Sequence, residues 1–168
     1  MRAENNSSAA PLTKAGYWIR MGAGLVDLFL CALICAAIGF PLFMGLAFLA
    51  MFLDKMVQGP PGLLGEFLVV VIFTLFGAVM LSIPALYHVY FWTRSGATPG
   101  KRLGQLRVIS SDGSDLRWPQ ALGRFFGYVV SCVFWLGFLW IAFDRNKQGW
   151  HDKLAGTYVV RFPPPNRS

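Results

Sequence analysis

Two long stretches of this chain, residues 28–53 and 67–93, contain no charged side chain apart from the titratable His88. No other feature restricts its possible folds so severely. About 20 predominantly apolar residues are enough for a helix to cross the hydrocarbon core of a bilayer. Within that core only helices and closed barrels satisfy the backbone's own polar groups. A third uncharged stretch, 125–143, is just long enough to qualify. The composition agrees: 55% of the residues are hydrophobic and 14% are charged, against roughly 25% charged in soluble domains. The chain reads as an all-α membrane protein with two transmembrane helices, about 18–53 and 67–93. The third membrane segment, 125–143, either spans or re-enters as a hairpin.

Arg2 and Lys14 ahead of an apolar run resemble the start of a cleavable signal peptide. The run is too long for a signal core, however, and Asp27 interrupts it, so the segment is expected to stay in the mature protein. Cys31, Cys35 and Cys132 lie in apolar segments, where thiols behave as small hydrophobes. Cys31 and Cys35 are one helical turn apart, but no His or third Cys accompanies them as a zinc site requires. No disulfide, metal or other cofactor is expected.

Basic residues near span ends are retained on the cytoplasmic side. Arg2, Lys14 and Arg20 mark the N-terminal end, and Arg94, Lys101, Arg102, Arg107, Arg117 and Arg124 mark residues 94–124. Between them, 54–66 has only Lys55 beside Asp54 and Glu66, with the turn-forming QGPPG at 58–62. This bias predicts a cytoplasmic N-terminus, with 54–66 on the far side. The C-terminal stretch carries Arg145, Lys147, Lys153, Arg161 and Arg167. That favours a hairpin over a third crossing, turning near Trp135-Leu136-Gly137.

Length and prolines add detail. At ~1.5 Å per residue, 18–53 is longer than the ~30 Å core demands, so the helix is expected to kink or end near Gly39-Phe40-Pro41. Pro84 removes one helical hydrogen bond and is expected to bend the second span. Tyr17, Trp18, Tyr87, Tyr90 and Trp92 fall where an interfacial aromatic belt belongs.

The polar connections also have a pattern. QLRVISSDG (105–113) alternates Leu106 and Val108 against Arg107 and ends in a turn pair, and GTYVVRF (156–162) alternates before three prolines. Both read as strands. Each is marginal alone, so the two are expected to pair as a small cytoplasmic β element, which again requires both to lie on one side of the membrane. Between them, Ser114 and Asp115 look like the cap of an interfacial helix over 114–124. The domain plan is a cytoplasmic tail at 1–16, a membrane domain at 17–161, and a Pro-rich tail at 162–168.

RMGAGLVD (20–27), GATPGKRLGQLRV (96–108), Arg124 at the head of the third apolar stretch, and HDKLAGTYVV (151–160) occur in that order. Together they resemble the RDD family of small membrane proteins, named for one arginine and two aspartates. Arg20 and Asp27 match the family's arginine and first aspartate, and Asp152 resembles the second. The likeness covers about 14–161, with a long 41–53 extension of the first apolar run as the departure. The family implies a transporter of an unidentified ligand, in some members sodium/proton exchange, and names no mechanism.

Arg20 and Asp27 are seven residues apart, nearly two helical turns, so they share a helix face about 10 Å apart along the axis. Gly16, Ala23 and Gly24 share it too, and small residues let another helix approach. Direct Arg20–Asp27 pairing is too long, which leaves Arg124, His88 or Arg102 as partners for Asp27. Its carboxylate either exchanges a proton or cation or anchors a structural network. GATPGK is too short between its glycines for a phosphate loop and has Arg102 where Ser or Thr should bind magnesium. A tight turn at Thr98-Pro99-Gly100 fits better, with Lys101 and Arg102 on lipid phosphates. His151-Asp152 has no nucleophile or second catalytic carboxylate beside it; Asp152 is expected to cap a turn or pair with a basic residue of 94–124.

The +7 net charge suits anionic lipid headgroups and calls for no nucleic acid. Two functions follow as expectations. One is proton-coupled transport of a cation or small solute by an oligomer. The other is a non-catalytic accessory or assembly subunit of a larger membrane complex. Partners would be the bilayer and either further copies of the chain or a larger membrane protein.

Overall fold

The structure, a computed structural model, describes residues 13–56, 63–132 and 135–161. Its elements are α1 (Tyr17–Met56), α2 (Leu63–Ser95), α3 (Pro99–Leu103), β1 (Leu106–Ser110), α4 (Trp118–Ser131), α5 (Leu136–Phe143), α6 (Trp150–Leu154) and β2 (Thr157–Arg161). The predicted turn at 58–62 and most of the two terminal tails lie outside the described residues.

α1 and α2 are long and apolar enough to cross a membrane. α1 runs for 40 residues with Pro41 inside it, so it does not end at Gly39-Phe40-Pro41 as its length suggested. A proline deletes one bond of the ladder, and the rest of an apolar helix has no alternative partner in lipid. At ~1.5 Å per residue, α1 is ~60 Å long, and one face of its first three turns, with Arg20, Ala23 and Asp27, is covered by the rest of the protein. Asp27 meets Tyr87 while Phe43 packs on Phe73 and Phe76, so α1 and α2 run antiparallel. Little else covers them. Of the most apolar stretch, only 17% in α1 and none in α2 is buried within the chain.

The remaining elements form a cap over one end of this pair. β1 and β2 pair antiparallel, from Leu106 opposite Arg161 to Ser110 opposite Thr157, as their alternation predicted. The N-terminal segment joins them: Ala15 N–H donates to Val159 O at 2.9 Å and Arg161 N–H to Thr13 O at 2.8 Å. The folded unit thus begins before residue 17. Leu106, Val108 and Val159 turn inward onto Ala15, Ala23, Val89, Trp92, Leu116 and Ala121 to make the apolar core.

α4 starts later than predicted. Ser114 belongs to the turn after β1, its N–H bonded to Asp112 Oδ1 at 2.9 Å. The helix begins at Trp118, where Pro119 suits the first turn, and Gln120 Oε1 accepts from Arg117 N–H at 3.1 Å. α4 then runs on to Ser131, well into the third apolar stretch. α5 follows at 100° to it across a short break, with Trp135 in the left-handed region at φ 59°. α4 and α5 therefore form an elbow, not one straight rod. Both arms return to the cap: Gln120 bonds Ser110, and Asp144 bonds Lys153 of α6 at 2.6 Å.

Candidate functional site

Two buried carboxylates organise the cap. Asp27 lies on the inward face of α1 with Ala23 and Cys31. It accepts hydrogen bonds from the Gly100 N–H at 2.8 Å, the Tyr87 hydroxyl at 3.0 Å and the Thr98 hydroxyl, and Lys101 Nζ is 3.6 Å away. The Thr98-Pro99-Gly100 turn makes this possible. Thr98 is extended, Pro99 opens α3, and Gly100 lets the α3 backbone lie against α1. A β-carbon on Gly100 would collide with the Ala23 carbonyl and sit 2.9 Å from the Asp27 carboxylate. The amide that a phosphate loop would offer is thus already committed to Asp27.

None of the partners considered for Asp27 pairs with it. His88 Nδ1 donates to Pro84 O at 2.9 Å, and its ring packs edgewise on Trp92 and Tyr128. Arg102 is exposed. Arg124 serves the second carboxylate. Lys101 is buried, so it is not available to lipid phosphates in the way its place in a basic loop implied. Trp92, placed in the interfacial belt by its position in α2, is fully buried.

Asp152 is wholly buried on α6. Its Oδ2 accepts from Arg20 and, at 2.9 Å, from Gly149 N–H at the start of α6. Arg124 Nη1 forms an ion pair with Oδ1 at 2.6 Å and also donates to the Thr157 hydroxyl. Asp152 thus caps its turn and pairs with a basic residue of 94–124. Arg20 reaches on to Lys147 O at 2.7 Å, tying α1 to the loop before α6. Burial raises the Asp152 pKa, but Arg124 and Arg20 outweigh it and hold the group well below the usual carboxylate range.

His151 is packed between Tyr128 and Phe138. Arg20 can only donate, so Nε2, 3.5 Å from it, accepts. Nδ1–H then donates to Ser131 at 3.0 Å. Burial holds its pKa well below the usual value, and the ring is neutral. Close approach of α4 to α6 depends on Gly127, where a β-carbon would lie 2.8 Å from His151 Cα.

The anticipated packing stripe is only partly a seam. Ala23 is buried, but Gly16 and Gly24 have open space where a side chain would grow. Tyr87, Thr98, Gly127, Ser131 and Thr157 complete the networks and were not identified from sequence. Thr98-Pro99-Gly100 was visible as a turn; its role as a cradle for Asp27 needs the fold.

An ion-paired cap over two apolar helices defines a small membrane-type protein. The chain belongs to the RDD family, which matches residues 14–156. It is similar to the uncharacterised protein YxaI of Bacillus subtilis, 34% identical over 84 residues, which is 49% of this chain and 55% of that protein. It is also similar to the uncharacterised protein RP437 of Rickettsia prowazekii, 32% identical over 78 residues, 45% of this chain and 42% of that one. The chain thus spans about half the length of the curated relatives it matches. No solved structure matches it.

Proposed function

We propose that this protein is a non-catalytic accessory or assembly module of a larger membrane complex, in which Arg20, Asp27 and Asp152 lock the cap onto the helix pair. One observation carries this reading: both acids already have protein donors on their oxygens, three hydrogen bonds at Asp27 and two arginines at Asp152. Carboxylates so engaged are poor carriers of a moving ion. The exposed apolar perimeter of α1 and α2 suits contact with other membrane helices. In this reading the cap is cytoplasmic in a bacterial inner membrane, and the α4–α5 elbow re-enters.

Proteoliposomes under a sodium or potassium gradient provide the test. No flux above empty liposomes is expected, and Asp27→Asn should fold with a lower melting temperature. A pH-dependent flux that Asp27→Asn abolishes would overturn the proposal. Cysteine labelling with an impermeant reagent at Gln58, Ser111 and Ser168 tests the elbow: Ser168 should label from the same side as Ser111.

The second reading, proton-coupled cation transport by an oligomer, has one observation in its favour. Lys101 approaches Asp27 only to 3.6 Å, a looser pairing than the arginines make with Asp152.

A further inference from the structure

Among the described residues, the buried charged side chains are Arg20, Lys101 and Arg124 against Asp27 and Asp152. His151 is neutral and adds nothing to either side. One positive charge is therefore in excess inside the cap. An uncompensated buried charge is among the least favourable features a fold can hold.

Unsatisfied donors gather in the same place. Nε and Nη2 of Arg124 and Nε1 of Trp92 are buried and meet no acceptor. For Lys101, the Asp27 carboxylate at 3.6 Å is beyond hydrogen-bond length. These groups share one ring: Arg124 Cζ is 5.1 Å and Lys101 Nζ 5.6 Å from the centre of Trp92. An indole face offsets part of a cation's charge at such range, but the indole nitrogen is a donor only. Three elements, α2, α3 and α4, thus bring buried donors and positive charge around one indole, and among the described side chains the buried acceptor still without a hydrogen bond is Asp152 Oδ1, beside Arg124 Nη1.

We propose that Trp92, Lys101 and Arg124 form a buried site for a small monovalent anion of the size and charge of chloride. A halide accepts hydrogen bonds from any direction, which suits donors arriving from three helices. Its single charge cancels the excess, whereas a divalent oxyanion would reverse it. A lipid phosphate carries its glycerol with it, and Trp92 and Arg124 are both 0% exposed. The bound anion would tie α3 and α4 to the end of α2, stabilising the cap independently of whatever the protein docks to.

The test is thermal unfolding of the purified full chain in detergent, titrated with sodium chloride or bromide against sodium gluconate at matched ionic strength. Both halides should raise the melting temperature by a few degrees in a saturable way. Lys101→Met should weaken the apparent affinity roughly tenfold, in line with loss of a charged donor. Trp92→Phe, which keeps the ring and removes one N–H, should weaken it roughly fivefold. Arg102→Gln, at an exposed position, should leave the response intact. If Lys101→Met fails to fold, Trp92→Phe decides. Identical melting in chloride and gluconate, or a halide response unaltered in Trp92→Phe, would overturn the proposal.

Discussion

The far halves of α1 and α2 and the cap at their other end are built by different rules. Beyond Gly39, the helices touch through Phe43, Phe73 and Phe76 and leave between them an apolar cavity of about 240 Å³ lined also by Leu46, Ala47 and Ile72. Nothing there depends on a directed bond between the helices among the described residues. In the cap, both buried carboxylates are held by directed contacts, Asp27 by three hydrogen bonds and Asp152 by two arginines. Lipid is as apolar as leucine, so a membrane helix gains little by burying one apolar side chain rather than another. A buried ion pair discriminates sharply, because losing one member strands the other. Single substitutions should therefore matter very unequally in the two regions.

Asp152→Ala should have the largest effect. It leaves Arg20 and Arg124 facing each other without their shared counter-ion, a loss of about 3–5 kcal/mol for a broken buried pair. The measurement is folded yield and melting temperature in detergent. An unchanged melting temperature would mean that the cap does not rest on this carboxylate.

Next comes close packing. Gly127→Ala puts a methyl 2.8 Å from the His151 backbone, where nothing flexible can move aside, and should cost about 1–3 kcal/mol as overpacking does. Gly45→Ala on α1 has open space and should be neutral or stabilising by up to about 1 kcal/mol through helix propensity. If the two melt alike, the contrast between the regions fails.

A smaller effect is expected from pH. The His151 pKa in the folded state lies well below that of a free imidazole, chiefly through burial. The unfolded chain therefore takes up the proton first, and stability falls as pH drops below about 6.5. Asp152 works in the same direction at lower pH, since its pKa is also depressed when folded. Melting temperature should decline between pH 7 and 5 and decline less in His151→Gln. Equal slopes would show that His151 is not the group being charged.

The regions also differ in how much of them was legible in advance. The helices were plain from uncharged length, and the strand pair from alternation and from the requirement that lone strands find partners. The site was half legible. Arg20, Asp27, Arg124 and Asp152 stood out as charges in an apolar chain, and Asp152 pairs with Arg124 as its position in a basic context implied. The partners of Asp27 were not readable. Helical periodicity ranks charged candidates by face, but the carboxylate is met mainly by a peptide N–H and two hydroxyls, which the sequence does not mark as donors. Periodicity likewise put Gly24 on the face of Asp27 without saying how far the covering elements extend.

That last point supplies the smallest predicted change. Gly24 is exposed, and a side chain built on it meets nothing within 4 Å. Gly24→Leu should therefore shift stability by no more than about 0.5 kcal/mol at a surface position, with a slight gain where helix propensity prevails. The substitution is informative because the outward surfaces of α1 and α2 are the ones offered to a partner. A monomeric detergent-purified protein should melt alike with Gly or Leu at 24. A marked loss confined to protein that migrates as an oligomer would place a second copy against this face of α1. The apolar half would then have an address as specific as the cap's.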